Sequence, residues 1–148
     1  MKLAGWARRF AERLRGRPRR PGGHRGVGHD WEREAERALV AARYRILERN
    51  FRTRRGEIDL IAEEGGTLCF IEVKGRRSRA FGTPAESVTL EKQRRILGAA
   101  EAYLARSGAG HRVCRFDVVC VDAQESERSR RVTILRDAFR GPLPPRRS

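Results

Sequence analysis

The stretch that decides the fold is Gly56-Glu57-Ile58-Asp59-Leu60-Ile61-Ala62, then Glu63-Glu64-Gly65-Gly66, then Leu68-Cys69-Phe70-Ile71-Glu72-Val73-Lys74. Two β-prone apolar runs flank a glycine pair, which predicts a tight antiparallel hairpin with strands over Glu57–Ala62 and Leu68–Lys74. Side chains alternate along a strand, so Glu72 and Lys74 share one face while Ile71 and Val73 share the other. Glu57 and Asp59 likewise share a face. An antiparallel hairpin can therefore set Asp59 beside Glu72, with Lys74 close by. Two carboxylates side by side in an apolar hairpin cost electrostatic energy unless a cation sits between them. A hard divalent ion with oxygen ligands meets that need. Such an ion lowers the pKa of a bound water and neutralises charge on phosphorus, while Lys74 orients the water or stabilises the phosphate. The plainer alternative is an ordinary Glu72–Lys74 ion pair on a solvated strand.

Upstream, Asp30 is a good N-cap for a helix whose apolar face is Trp31, Ala35, Ala38, Leu39 and Ala42. Tyr44–Phe51 reads as the first strand, with a turn at Arg54-Arg55-Gly56. Downstream, Gly75–Ser87 reads as a basic loop. Thr89 caps a second helix over Leu90–Arg106, with Ile96, Leu97, Ala100, Tyr103 and Leu104 facing inward. Strands follow over Arg115–Val121 and Val132–Leu135. The order is helix, three strands, helix, two strands, without internal repeat. This predicts an α/β fold, a mixed β-sheet flanked by helices.

The chain has 148 residues, with 34 Lys+Arg against 19 Asp+Glu and a net charge of +15. Residues 1–27 alone hold nine basic residues and one acidic one. They read as a basic, flexible extension in which Leu3, Trp6, Phe10 and Leu14 recur at helical spacing. The folded domain is expected over 28–140, with 141–148 a flexible tail. Nucleic acid is the natural partner of such basic arms. Of the 34 basic residues only Lys2, Lys74 and Lys92 are lysines. In so arginine-biased a chain, a retained lysine marks a place where a compact ammonium is wanted. Arg52, Arg54, Arg55, Arg76, Arg77 and Lys92 flank the acidic hairpin in sequence and suit phosphate contacts without base readout.

Other chemistries find no support. No run approaches the 20 or so apolar residues of a membrane span, so no integral membrane association is expected. Cys69, Cys114 and Cys120 form no CxxC pair and sit in apolar runs, which reads as reduced thiols in a cytoplasmic protein. His24, His29 and His111 lack zinc spacing. Phosphate-loop, dinucleotide and G-x-S-x-G fingerprints are absent.

Taken together, G-E-I-D-L-I-A at Gly56–Ala62 and F-I-E-V-K at Phe70–Lys74 resemble the bacterial YraN-type family. Further matches are G-x-x-x-E-x-x-A at Gly28–Ala35, I-L-x-R-N at Ile46–Asn50, F-G-T-P at Phe81–Pro84 and R-F-D-V-V at Arg115–Val119. That family in turn is similar to the restriction-endonuclease-like PD-(D/E)xK nucleases and archaeal Holliday-junction resolvases. The resemblance implies a Mg²⁺- or Mn²⁺-dependent endonuclease acting on DNA, branched DNA included, and a homodimer. It implies that Asp59, Glu72 and Lys74 are catalytic and that Glu32, Asp59 and Glu72 are metal ligands. Asp117 reads as a structural partner. The chain departs from the family in carrying Trp31 where a small Gly precedes the first-helix glutamate, and Ile58 where the PD motif has Pro. Two rivals stay open: a nucleic-acid-binding module that does not cut, and an interaction protein docking on a repair or membrane assembly.

Overall fold

The computed structural model describes residues 28–76, 88–123 and 130–140. The expected N-terminal extension, the C-terminal tail, the F-G-T-P stretch and Arg77 lie outside the described residues. Helix α1 (Gly28–Ala41) is followed by strands β1 (Arg45–Arg52), β2 (Glu57–Glu64) and β3 (Thr67–Arg76). Helix α2 (Leu90–Ser107) and strands β4 (Cys114–Ala123) and β5 (Arg130–Leu135) complete the described elements. The strands form one sheet in sequence order. β1, β2 and β3 pair antiparallel, β3 and β4 parallel across α2, and β4 and β5 antiparallel. The expected mixed sheet flanked by helices is what forms.

Alternation along the strands feeds two cores, one on each face of the sheet. On one face Leu60, Ala62, Cys69, Ile71, Val119 and Val121 meet Ala35 and Leu39 of α1. On the other, Ile61, Leu68, Phe70, Phe116, Val118 and Cys120 meet Ile96, Ala99, Ala100 and Tyr103 of α2. The Tyr103 ring stands edge-on to Phe51 and Phe70, with centroids at 5.4 and 5.9 Å. The β2–β3 hairpin closes at the Glu64–Thr67 pair. Gly65 and Gly66 take φ of 54° and 84° there, which a two-residue turn of this hand requires and which residues with a Cβ resist.

Several element ends lie one or two residues from expectation, and two of the differences bear on the site. α1 starts at Gly28, so Asp30 lies inside its first turn rather than capping it. β3 continues past Lys74 through Gly75 and Arg76, because both residues pair with β4, at Val121 and Asp122. Gly75 remains in the strand for a packing reason. A Cβ there would lie 1.2 Å from Cε3 of Trp31, so the indole occupies the space a side chain would need.

A polar cluster supports the α1 face. Asp117, fully buried, accepts hydrogen bonds from the Tyr44 hydroxyl at 2.9 Å, from both Nε and an Nη of Arg115, and from the Asp137 amide. Arg115 and Arg136 both reach Glu64. The structural role expected for Asp117 is the one it has.

Candidate active site

The pleat of the sheet breaks at Asp59. Leu60 packs into the α1-side core, yet Ile58, two residues away, packs into the α2-side core. The break runs across β1 as well. Arg49 donates to Glu36 of α1, while Phe51, two residues on, lies in the α2-side core. Between them Asn50 adopts φ of 51°, a region that Asn tolerates better than most residues with a Cβ. Regular β2–β3 pairing stops at Leu60–Ile71. Beyond it, the Asp59 carboxylate accepts the Val73 amide at 2.8 Å, a backbone donor satisfied by a side chain.

Period two places Glu72 on the same face as Leu68 and Phe70, beneath α2. Its side chain is only 4% exposed. Lys74 follows on that face, its Nζ 3.9 Å from Oε1 of Glu72. The start of α2 supplies a second amine. The Thr89 hydroxyl accepts the Lys92 amide at 3.2 Å, an N-cap that fixes the first turn. Lys92 Nζ then lies 3.5 Å from the same Oε1. A cation in a helix's first turn runs against the macrodipole, and Glu72 offsets that penalty.

Among the described residues no N–H or O–H group donates to Oε2 of Glu72, although that oxygen is buried. Burial pushes the Glu72 carboxyl well above its ordinary range, the neighbouring Asp59 charge pushes it further, and the two lysines offset only part of this. Asp59 is raised too, chiefly by burial, against the pull of the Val73 amide. Two neighbouring carboxyls, one buried and one half-buried, with raised affinity for protons are a site short of positive charge.

The structure thus brings Asp59, Glu72, Lys74 and Lys92 together. It does not gather Glu32 with them: among the described residues no three His, Cys, Asp or Glu side chains form a group able to hold a metal ion. Glu32 belongs to α1, which packs on the opposite face of the sheet. The expected phosphate contacts divide. Arg54 is exposed in the β1–β2 turn. Arg52 lies 3.5 Å from Glu57, and Arg55 donates to Glu101 at 2.6 Å, both on the surface. That turn sits on α2, since a Cβ on Gly56 would come within 2.3 Å of the Arg95 carbonyl oxygen. The Arg76 guanidinium, only 14% exposed, is committed to Asp122 by bonds of 2.7 and 3.2 Å. The three cysteines are free thiols, and burial pushes Cys69 up to about 12. No described helix is long and apolar enough to cross a membrane.

The fold and this cluster define a small three-layer α/β protein with a paired-carboxylate, two-lysine site at the end of its central hairpin. The chain belongs to the family described as Uncharacterised protein family UPF0102, whose model matches residues 31–121; this is the YraN-type family that the sequence motifs resemble. It is 50% identical over 115 residues to a UPF0102 protein of Symbiobacterium thermophilum, covering 78% of this chain and 97% of that one. A UPF0102 protein of Anaeromyxobacter sp. is 44% identical over 120 residues, covering 81% of this chain and 89% of its own length. Another, of Chlorobaculum parvum, is 48% identical over 117 residues, covering 76% and 91%.

Proposed function

We propose that this chain is a Mg²⁺- or Mn²⁺-dependent endonuclease of the PD-(D/E)xK kind that hydrolyses phosphodiesters in DNA, branched DNA included. One observation carries the reading: the buried Glu72, one of whose oxygens lacks a donor among the described residues, lies beside the half-buried Asp59 of the adjacent strand and faces two lysine amines. The donor set fits a hard cation, since Mg²⁺ is commonly held by one or two carboxylates with water and substrate oxygens filling the rest. Asp59 and Glu72 would hold the ion, which when bound supplies Lewis acidity and a more acidic water.

The chain's own residues do the remainder. The Val73 amide fixes the Asp59 carboxylate in place. Lys74, about one-third exposed, is positioned to donate to an oxygen of the scissile phosphate or to orient the attacking water. Lys92, with Arg52, Arg54 and Arg55 on the adjoining turn, offers cations to flanking backbone phosphates without reading bases. Glu32 enters this scheme only if it approaches the pair from the other side of the sheet. Cutting both strands of a branch calls for two such sites, hence a homodimer, which light scattering of the full chain decides.

The test is nicking of plasmid and four-way-junction DNA in Mg²⁺, in Mn²⁺ and in EDTA. Cleavage is expected with either ion and not in EDTA. Glu72→Ala and Lys74→Ala are expected to abolish cleavage while DNA retention persists. Undiminished activity in either variant removes the catalytic assignment. A non-cutting nucleic-acid-binding module is the second reading, favoured by the fact that among the described residues no three His, Cys, Asp or Glu side chains form a group able to hold a metal ion. Under it, the wild-type chain retains DNA and leaves it intact in both ions.

A further inference from the structure

Two ammonium groups converge on a single oxygen of Glu72, Lys92 at 3.5 Å and Lys74 at 3.9 Å, while the other oxygen of that carboxylate has no donor among the described residues. The two amines are not equivalent. Lys74 sits two residues from Glu72 on the same strand face, so the backbone holds it beside the carboxylate. Lys92 comes from a different element, the first turn of α2, and its side chain is 30% exposed on a flexible four-carbon stem. It can leave without disturbing β3. Helix electrostatics also disfavour a cation at that position, so its contact with Glu72 is a local compensation, released when another cation takes its place.

The residue type fits that role. In a chain with 31 arginines, an arginine here would grip the carboxylate through two parallel N–H bonds and lock both oxygens. An ammonium is a point charge that neutralises Glu72 from one side and leaves Oε2 open.

We propose that Lys92 is a resident counter-cation, which neutralises Glu72 in the ligand-free protein, competes with the divalent ion for that carboxylate, and passes to a nucleic-acid phosphate when the ion binds. This rests on the metal-site reading above. Its consequence is coupling. Phosphate that captures Lys92 removes the ion's competitor, so nucleic acid and divalent ion each tighten the binding of the other by the same factor.

The experiment titrates Mn²⁺ into the full chain by calorimetry without nucleic acid, for wild type, Lys92→Met and Lys92→Arg. Lys92→Met is expected to bind Mn²⁺ about fivefold more tightly, the low end of ordinary coupling between sites, because the amine is partly solvated. Lys92→Arg is expected to bind it more weakly than wild type. Anisotropy of a labelled four-way junction, with and without Ca²⁺, gives the second readout. Ca²⁺ should tighten junction binding by the wild type and tighten it less in Lys92→Met. If the wild type binds Mn²⁺ and Lys92→Met binds it equally or more weakly, the counter-cation role is wrong and the metal site stands. If the wild type takes up no Mn²⁺ at millimolar concentration, the metal site falls and this role with it.

Discussion

Replacing Gly75 by alanine tests how α1 is fixed to the strand that carries the site. A methyl group at position 75 would lie 1.2, 1.8 and 1.9 Å from Cε3, Cζ3 and Cδ2 of Trp31, within the indole itself. Carbon–carbon contact begins near 3.5 Å, so the ring must retreat by about 2 Å or swing out. The backbone of α1 cannot follow freely, because Ala35 and Leu39, one and two turns further on, are fully buried. The substitution is therefore expected to cost what expelling the ring costs. Truncating a fully buried tryptophan costs about 3–5 kcal/mol, and Trp31 is only partly buried, so about 2 kcal/mol is expected. For a domain of this size that lowers Tm by about 4–8 °C. Urea unfolding of the wild type, Gly75→Ala, Trp31→Ala and the double variant separates this from a general strand effect. With the indole gone, adding the methyl should cost less than about 0.5 kcal/mol, leaving a coupling of about 1.5 kcal/mol between the two positions. A neutral Gly75→Ala, or the same cost in both backgrounds, would refute the reasoning.

Two other outcomes follow from the acidic residues. Glu72→Gln is expected to raise the Tm of the metal-free protein at neutral and alkaline pH, while Mn²⁺ no longer raises it further. Burial raises its folded-state carboxyl to about 8, so the Glu72 contribution to stability is fullest below its ordinary value near 4.5 and declines as pH rises from there towards 8. A Tm-against-pH profile should lose that decline in the variant, and a profile identical to wild type would count against the buried pair. Glu64 behaves oppositely. Hydrogen bonds from Arg136 and then Arg115 hold its carboxyl down at about 2, so its contribution is present above its ordinary value near 4.5 and lost as pH falls towards 2. Glu64→Gln should lower stability at pH 7 by about 1–2 kcal/mol and make acid unfolding shallower across that window. An acid limb of unchanged steepness would remove Glu64 from the account.

How much the sequence discloses depends on whether a feature is local. The hairpin, its glycine turn and the placement of Glu72 and Lys74 on one face follow from alternation over a few residues; the β2–β3 register confirms the hairpin and turn, and the unbroken β3–β4 register carries Glu72 and Lys74. Thr89 as the cap of the second helix is equally local. The continuation of β3 through Gly75 is not. A glycine after a lysine reads as a loop, and only pairing with β4 and the indole of Trp31, both distant in sequence, make it a strand. The same holds for Lys92, whose proximity to Glu72 depends on the return of α2 over the sheet. For the arginines, sequence supplies the charge but not the partner. Arg76 and Arg54 read alike, yet one is committed to Asp122 and the other lies exposed in a turn. The break at Asn50 and Asp59 left no periodic trace, because a single left-handed residue does not disturb composition.

The strongest argument that the acidic hairpin is functional comes from comparing the buried acids with one another. Glu72, Asp117 and Asp122 are the buried charged residues among those described. Asp117 receives two N–H groups of Arg115, a tyrosine hydroxyl and a backbone amide, and Asp122 receives two N–H groups of Arg76. Where this chain needs a buried carboxylate for its fold, it supplies a guanidinium, and it has arginines to spare. At Glu72 it does otherwise. It supplies two of its three lysines at longer range, sets a second carboxyl alongside, ends the β2–β3 pairing and leaves a buried oxygen without a donor among the described residues. Each of these departures costs stability, and an arginine like those elsewhere in the same sheet would remove most of the cost. A sequence that gives the buried Asp117 and Asp122 a guanidinium each, and gives the buried Glu72 two lysines at longer range instead, supports the reading of that carboxylate as a ligand-binding group.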